Sequence, residues 1–136
     1  MFRLSIVTPG KVVYDADIRS LVVPGADGYL GVLSQHAPLM TALKPGRIEF
    51  RDADNTHHLL AVSNGFLEVS SNVATLLADA VENADEIDLV RAKAALKKAK
   101  SNLAALYRGE LDADAEEVRA AMERAHNRIQ IYDQTH

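Results

Sequence analysis

Glycine and proline punctuate this chain as far as residue 83 and then all but disappear. Six of the seven glycines and all four prolines lie in that stretch, and beyond it only Gly109 remains. Such a change of punctuation means two kinds of structure in sequence rather than one mixed fold. In the first part, short β-rich runs meet turn residues. "FRLSIVT" ends at Pro9-Gly10, "RSLVV" at Pro24-Gly25 and "HHLLAVS" at Asn64-Gly65; "RIEF" follows Pro45-Gly46, and "VATLLAD" closes the set. Leu4 and Ile6, Ile48 and Phe50, and Leu60 and Val62 repeat with the period of a strand. Turn signals at roughly 8–12-residue spacing point to an antiparallel β-sandwich or barrel over residues 1–84.

From residue 85 to 136 alanine, leucine and charged residues take over. Asp85 or Asp88 is placed to cap a helix running to about Tyr107, with Gly109 as its stop. Asp114 and Glu117 have the spacing of a capping box for a second helix reaching about Tyr132. Each helix carries a heptad seam. The first is Leu89, Ala92, Leu96, Ala99, Leu103 and Leu106; the second is Ala115, Val118, Met122, Ala125, Ile129 and Tyr132. Folded back at Gly109, Leu89 falls opposite Tyr132, Leu96 opposite Ala125 and Leu106 opposite Ala115, so the seams stay in register as an antiparallel hairpin. The seam is rich in alanine, which removes little apolar area at about 25 cal/mol per Å². A hairpin of this kind is marginal alone and is a natural moving part.

Five cations lie between Arg91 and Lys100 with no acid among them. Heptad geometry puts Arg91 and Lys98 on the same flank of the hairpin as Arg124 and Arg128, with Asp88 the one acid nearby. Two readings stay open. The cations form a solvated face, or they hold a phosphate or carboxylate that relieves their repulsion.

Other chemistries are excluded or weakly supported. The chain has no cysteine, so disulfides, thiol nucleophiles and thiolate metal sites are absent. His57 and His58 are adjacent and face opposite sides of a strand, so they cannot share a metal. Gly10-Lys11 lacks the frame of a P-loop. No serine has a recognisable His/Asp framework. No catalytic residue, no metal and no required cofactor is expected. A net charge of −4 speaks against nucleic acid, and no apolar run is long enough to insert in a membrane. The start shows neither signal nor transit pattern, which makes a reducing, cytoplasmic setting the expectation. The apolar stretch Gly28-Tyr29-Leu30-Gly31-Val32-Leu33 is either an inward-folded corner or a partner surface. His36, before Ala37-Pro38, suits a hydrogen-bonding turn residue.

Three stretches together resemble the epsilon subunit of bacterial F-type ATP synthases, the counterpart of the mitochondrial delta subunit. They are "GYLGVLSQHAPLMTALKPG" from Gly28, "SNGFLEV" from Ser63 and "VATLLADAVENADEIDLVRAKAA" from Val73. The likeness covers essentially the whole chain. It implies a sandwich of about ten short strands followed by a two-helix hairpin. It implies a non-catalytic central-stalk subunit that binds gamma, rests on the c-ring and turns with them, peripheral to the cytoplasmic face of the bacterial inner membrane. Gly28, Tyr29, Leu30, Gly31, Val32 and His36 are then the c-ring and gamma contacts. Many relatives have an acid where Tyr29 stands.

The hairpin of such subunits extends toward the alpha and beta subunits and inhibits ATP hydrolysis. Some members bind ATP on the folded hairpin as a regulatory ligand. The matching residues here are Ile87, Asp88, Arg91 and Ala92, Glu82 upstream, and Arg124 and Arg128 on the second helix. Lys98 replaces an arginine and so loses the two-pronged contact. The competing reading is an assembly adaptor whose hairpin neither switches nor binds ATP.

Overall fold

The computed structural model describes residues 1–135; His136, the end of the expected helical part, lies outside them. Two compact units separate after Asn83. The first holds nine strands: β1 (Phe2–Thr8), β2 (Lys11–Gly25), β3 (Gly28–Leu33), β4 (Leu39–Leu43), β5 (Gly46–Asp52), β6 (His57–Val62), β7 (Gly65–Ser70), β8 (Val73–Ala78) and β9 (Val81–Asn83). Their order is β1-β8-β7-β4-β2-β5-β6-β9, with β3 on β2, and β1 pairs β2 as well, so the path closes on itself. β1 and β8 run parallel, and the other strand pairs are antiparallel.

Nine strands agree with the expected sandwich of about ten, and one of them, β2, is unbroken over 15 residues. Pro24-Gly25 forms its last two residues rather than the turn itself. Pro24 pairs with Tyr29, and the turn falls two residues later at Ala26-Asp27. The N-terminal half of β2 pairs β1; its C-terminal half pairs β5 on one side and β3 on the other. A register shift against β5 between Ile18 and Ser20 marks where it bends.

The alternation read from sequence holds. Phe2, Leu4 and Ile6 of β1, Ile48 and Phe50 of β5, Leu67 and Val69 of β7 and Leu76 of β8 meet in one buried core. Pro9-Gly10 forms a two-residue turn with Gly10 at φ 79°, a left-handed conformation that glycine adopts without cost. Ser71 and Asn72 make the β7–β8 turn, both with positive φ, as a two-residue hairpin loop requires.

The second unit opens with a 3₁₀ turn, Ala84–Glu86, then α1 (Leu89–Tyr107) and α2 (Ala115–Thr135). Asp88 is the N-cap of α1: its carboxylate accepts from the Arg91 N–H at 3.1 Å. The helix ends in a Schellman motif. Gly109 N–H donates to the Leu106 carbonyl at 3.1 Å and Glu110 N–H to that of Ala105 at 2.9 Å, with Gly109 at φ 74°. Asp114 caps α2 through the Glu116 N–H at 2.9 Å. Glu117 does not complete the expected box, for its carboxylate lies 3.4 Å from Arg124.

The helices pack on each other along the expected seam: Ala92 and Ala99 of α1 and Val118 and Ala125 of α2 are buried. The covered side of α2 is wider than the seam. Ile131 is 1 % exposed, and the 3₁₀ turn also packs on α2.

Candidate functional site

Three surfaces carry the chemistry. The first is β3 with the loop after it. The apolar stretch Gly28–Leu33 is a strand, and its residues alternate. Tyr29, Gly31 and Leu33 are exposed, whereas Val32 is 1 % exposed and Leu30 packs on the core. Val32 therefore serves the core and leaves the contact set. Tyr29 is fastened within the chain: its hydroxyl accepts from the Arg47 N–H at 3.1 Å, and the Arg47 guanidinium lies 4.3 Å from its ring centre. Gly46 permits this approach, because a Cβ there would meet the Tyr29 hydroxyl at 2.7 Å and Pro24. At this position the chain presents a clamped aromatic ring. His36 is a turn residue. Its N–H donates to the Leu33 carbonyl at 3.2 Å, and Nδ1 lies 2.7 Å from the Ala37 carbonyl. A carbonyl only accepts, so the proton sits on Nδ1.

Sequence reasoning missed the second surface. Ala42, Phe66, Leu77 and Val7 stand side by side across β4, β7, β8 and β1. Phe66 and Leu77 are 56 % and 52 % exposed, and Met40, two residues from Ala42 on the same face, is 70 % exposed. A groove of about 660 Å³ lined by Pro9, Ala42, Phe66, Leu77 and Asp79 continues this rank. The available signal was four outward apolar residues, Met40 and Ala42 at alternate positions of β4, Phe66 on β7 and Leu77 on β8. It became legible only once strand register joined them.

The third surface is the hairpin flank. Arg91 and Lys98 lie two turns apart on α1, so they share a face, and both are exposed. Arg124 and Arg128 lie one turn apart on α2. Both are half-buried, as is Ala121 beside them, whereas Arg119, Glu123 and His126 are exposed. The α2 half of the flank is thus partly covered rather than open. Arg124 already has Glu117 as a partner. Ile87 and Ala92 are buried and shape the hairpin from inside. Glu82 sits on β9 opposite Ala61, in the first unit. Asp88 is engaged in capping. α1 itself contains no acidic residue.

Among the described residues no group of His, Asp and Glu is arranged to hold a metal. One acid–base pair stands at the β5–β6 turn. His58 Nε2 lies 2.9 Å from Asp52, and its ring stacks on Phe50 at 4.5 Å. The His58 hydrogen bond, followed by the N–H groups of Thr56 and Asp54, holds the Asp52 carboxyl below its ordinary range.

Residues 1–84 match the family model described as the β-sandwich domain of the ATP synthase delta/epsilon chain. The chain is 46 % identical over 127 residues to the ATP synthase epsilon chain of Desulforamulus reducens, covering 93 % of each. It is 38 % identical to that of Lacticaseibacillus casei, over 96 % of this chain and 93 % of the relative. Among solved structures, a chain of the Euglena gracilis mitochondrial ATP synthase matches 98 % of it with a TM-score of 0.79 at 18 % identity, over 80 % of that chain. A chain of the Tetrahymena thermophila central stalk and c-ring matches 98 % with a TM-score of 0.63 at 14 % identity, over 94 % of that chain. These structures share the fold. The chain belongs to the ATP synthase delta/epsilon family, whose members are non-catalytic subunits of the rotary complex.

Proposed function

We propose that this chain works in the central stalk of a proton-translocating F-type ATP synthase. The sandwich binds gamma and rests on the c-ring, turning with them and coupling proton flow to ATP synthesis. The observation that carries this is the apolar rank Ala42–Phe66–Leu77–Val7, exposed at Ala42, Phe66 and Leu77, on a member of this family. A contiguous apolar strip of that kind marks a protein partner. Gamma takes the strip, and the β3 end with Leu33 and His36 meets the c-ring. Among the described residues no helix is long and apolar enough to cross a membrane. Attachment to the cytoplasmic face of the bacterial inner membrane then comes through the ring.

The hairpin regulates. In its folded form ATP bridges Arg91 and Lys98 with Arg124 and Arg128, and the triphosphate competes with Glu117 for Arg124. ATP at ten times its dissociation constant adds about 1.4 kcal/mol to the folded form. An alanine seam leaves a margin small enough for that to matter. When ATP falls, the hairpin opens, and the acid-free face of α1 meets acidic segments of the alpha and beta subunits and slows hydrolysis. Asp88, spent on its cap, takes no part as a base.

Reconstitution with gamma and the c-ring tests the seat. Phe66→Asp abolishes co-purification with gamma; unchanged co-purification rejects it. A chain ending at Asp85 tests regulation: hydrolysis by the complex rises if the hairpin restrains it and stays constant if the chain is an adaptor. Calorimetry with millimolar ATP tests the ligand. Heat that vanishes in Arg124→Ala supports it, and no heat removes it.

A further inference from the structure

We propose that Asn72 is the positioning residue that holds the β3–β4 loop, and His36 with it, in the shape that meets the ring. The proposal rests on the reading just given of that end of the sandwich. Asn72 lies in the β7–β8 turn, remote in sequence from both segments that it ties. Its Oδ1 accepts from the Gln35 N–H at 2.8 Å, and its Nδ2 donates to the Met1 carbonyl at 3.0 Å. Its own carbonyl accepts from the Arg3 N–H at 3.1 Å. Ser34 closes the figure, its hydroxyl donating to the same Met1 carbonyl at 3.2 Å. One side chain thus uses both ends of its amide to join the loop, the start of β1 and its own turn.

A turn residue alone does not need this. An Asn at φ 63° is accounted for by the two-residue hairpin loop, where glycine serves as well. The amide contacts are extra, and they fall on a loop that needs restraint. Gln35 has φ 64°, a left-handed conformation uncommon for a residue other than Gly, Asn or Asp. Without a hydrogen bond on its N–H, the chain from Ser34 to Pro38 would relax toward commoner angles. His36, next in line, would lose its placement. Holding a contact loop in its bound shape beforehand raises affinity by removing the ordering cost from the binding step.

Two variants separate this role from the turn. Asn72→Gly keeps the positive φ and removes both amide contacts. Asn72→Asp keeps the acceptor for Gln35 and loses the donor to Met1. Amide exchange of the isolated chain should show Gln35 exchanging roughly tenfold or more faster in Asn72→Gly, with Leu67 and Leu76 of the core unchanged. Asn72→Asp should stay within about threefold of the parent at Gln35. Affinity for a gamma and c-ring complex should fall by roughly tenfold in Asn72→Gly and hold in Asn72→Asp.

Unchanged Gln35 exchange in Asn72→Gly, or equal losses at Leu67 and Leu76, overturns the proposal. Fast Gln35 exchange with undiminished affinity overturns it as well. Leu33→Asp tells the failures apart. If Leu33→Asp prevents assembly while Asn72→Gly does not, the ring contact stands and the role of Asn72 falls. If both assemble normally, the ring contact falls too.

Discussion

The sandwich and the hairpin bury different things. The sandwich core is built from leucine, isoleucine, valine and phenylalanine side chains from β1 to β8, many with no exposed surface. The hairpin buries Ala92, Ala99 and Ala125, with Val118 and Ile131 as its larger buried side chains beyond Ile87. It leans instead on its ends: an Asp cap on each helix and a Schellman stop on α1. The first region is held by large apolar side chains, the second by a mostly alanine seam and by local hydrogen bonds at its helix ends. A region of the second kind opens at low cost, which is what a switch requires.

The sharpest way to break this contrast is to carve the core. Leu76→Ala should cost about 2–5 kcal/mol in urea unfolding followed by a probe of the sandwich. A loss below 1 kcal/mol would mean the sandwich is no better packed than the hairpin. Gly65→Ala comes next, at about 1–3 kcal/mol, because a Cβ there runs into the Leu77 carbonyl and the Ala78 backbone. In the hairpin the caps should matter most. Asp88→Ala or Asp114→Ala should cost about 1 kcal/mol each. The loss should be confined to the helical circular dichroism signal, leaving β-strand amide protection intact.

The smallest effect expected is electrostatic. The lowered pKa of Asp52 means the folded state binds its proton less readily than the unfolded chain. Its contribution is complete above the ordinary carboxylate value of 3.8 and fades as pH falls through the lower folded value. The stability difference between the parent and Asp52→Asn should therefore be flat near neutrality and shrink in acid. A difference that grows in acid would reverse the assignment.

What sequence revealed follows the same division. Caps, the Gly109 stop and the seam depend on residues within a turn or two of each other, and all were readable. The capping box failed in its second half because Glu117 had a rival donor in Arg124, two turns along. Strand alternation was readable too, but strand ends were not. Pro24 looked like a turn and is continued through by β2, because the true turn at Ala26-Asp27 carries Gly28 at φ 127° just behind it. The apolar rank on β4, β7, β8 and β1 was out of reach, since its members are joined only by register. The Asn72 amide contacts join residues 37 and 71 positions apart and leave no local trace. Ile131 was missed because it lies outside the heptad positions that define the seam.

The length of β2 has a mechanical corollary. One continuous strand is hydrogen-bonded to four others, so sliding one sheet layer past the other would have to shear β2 along its own axis. A body braced by such a spar carries torque with little internal give.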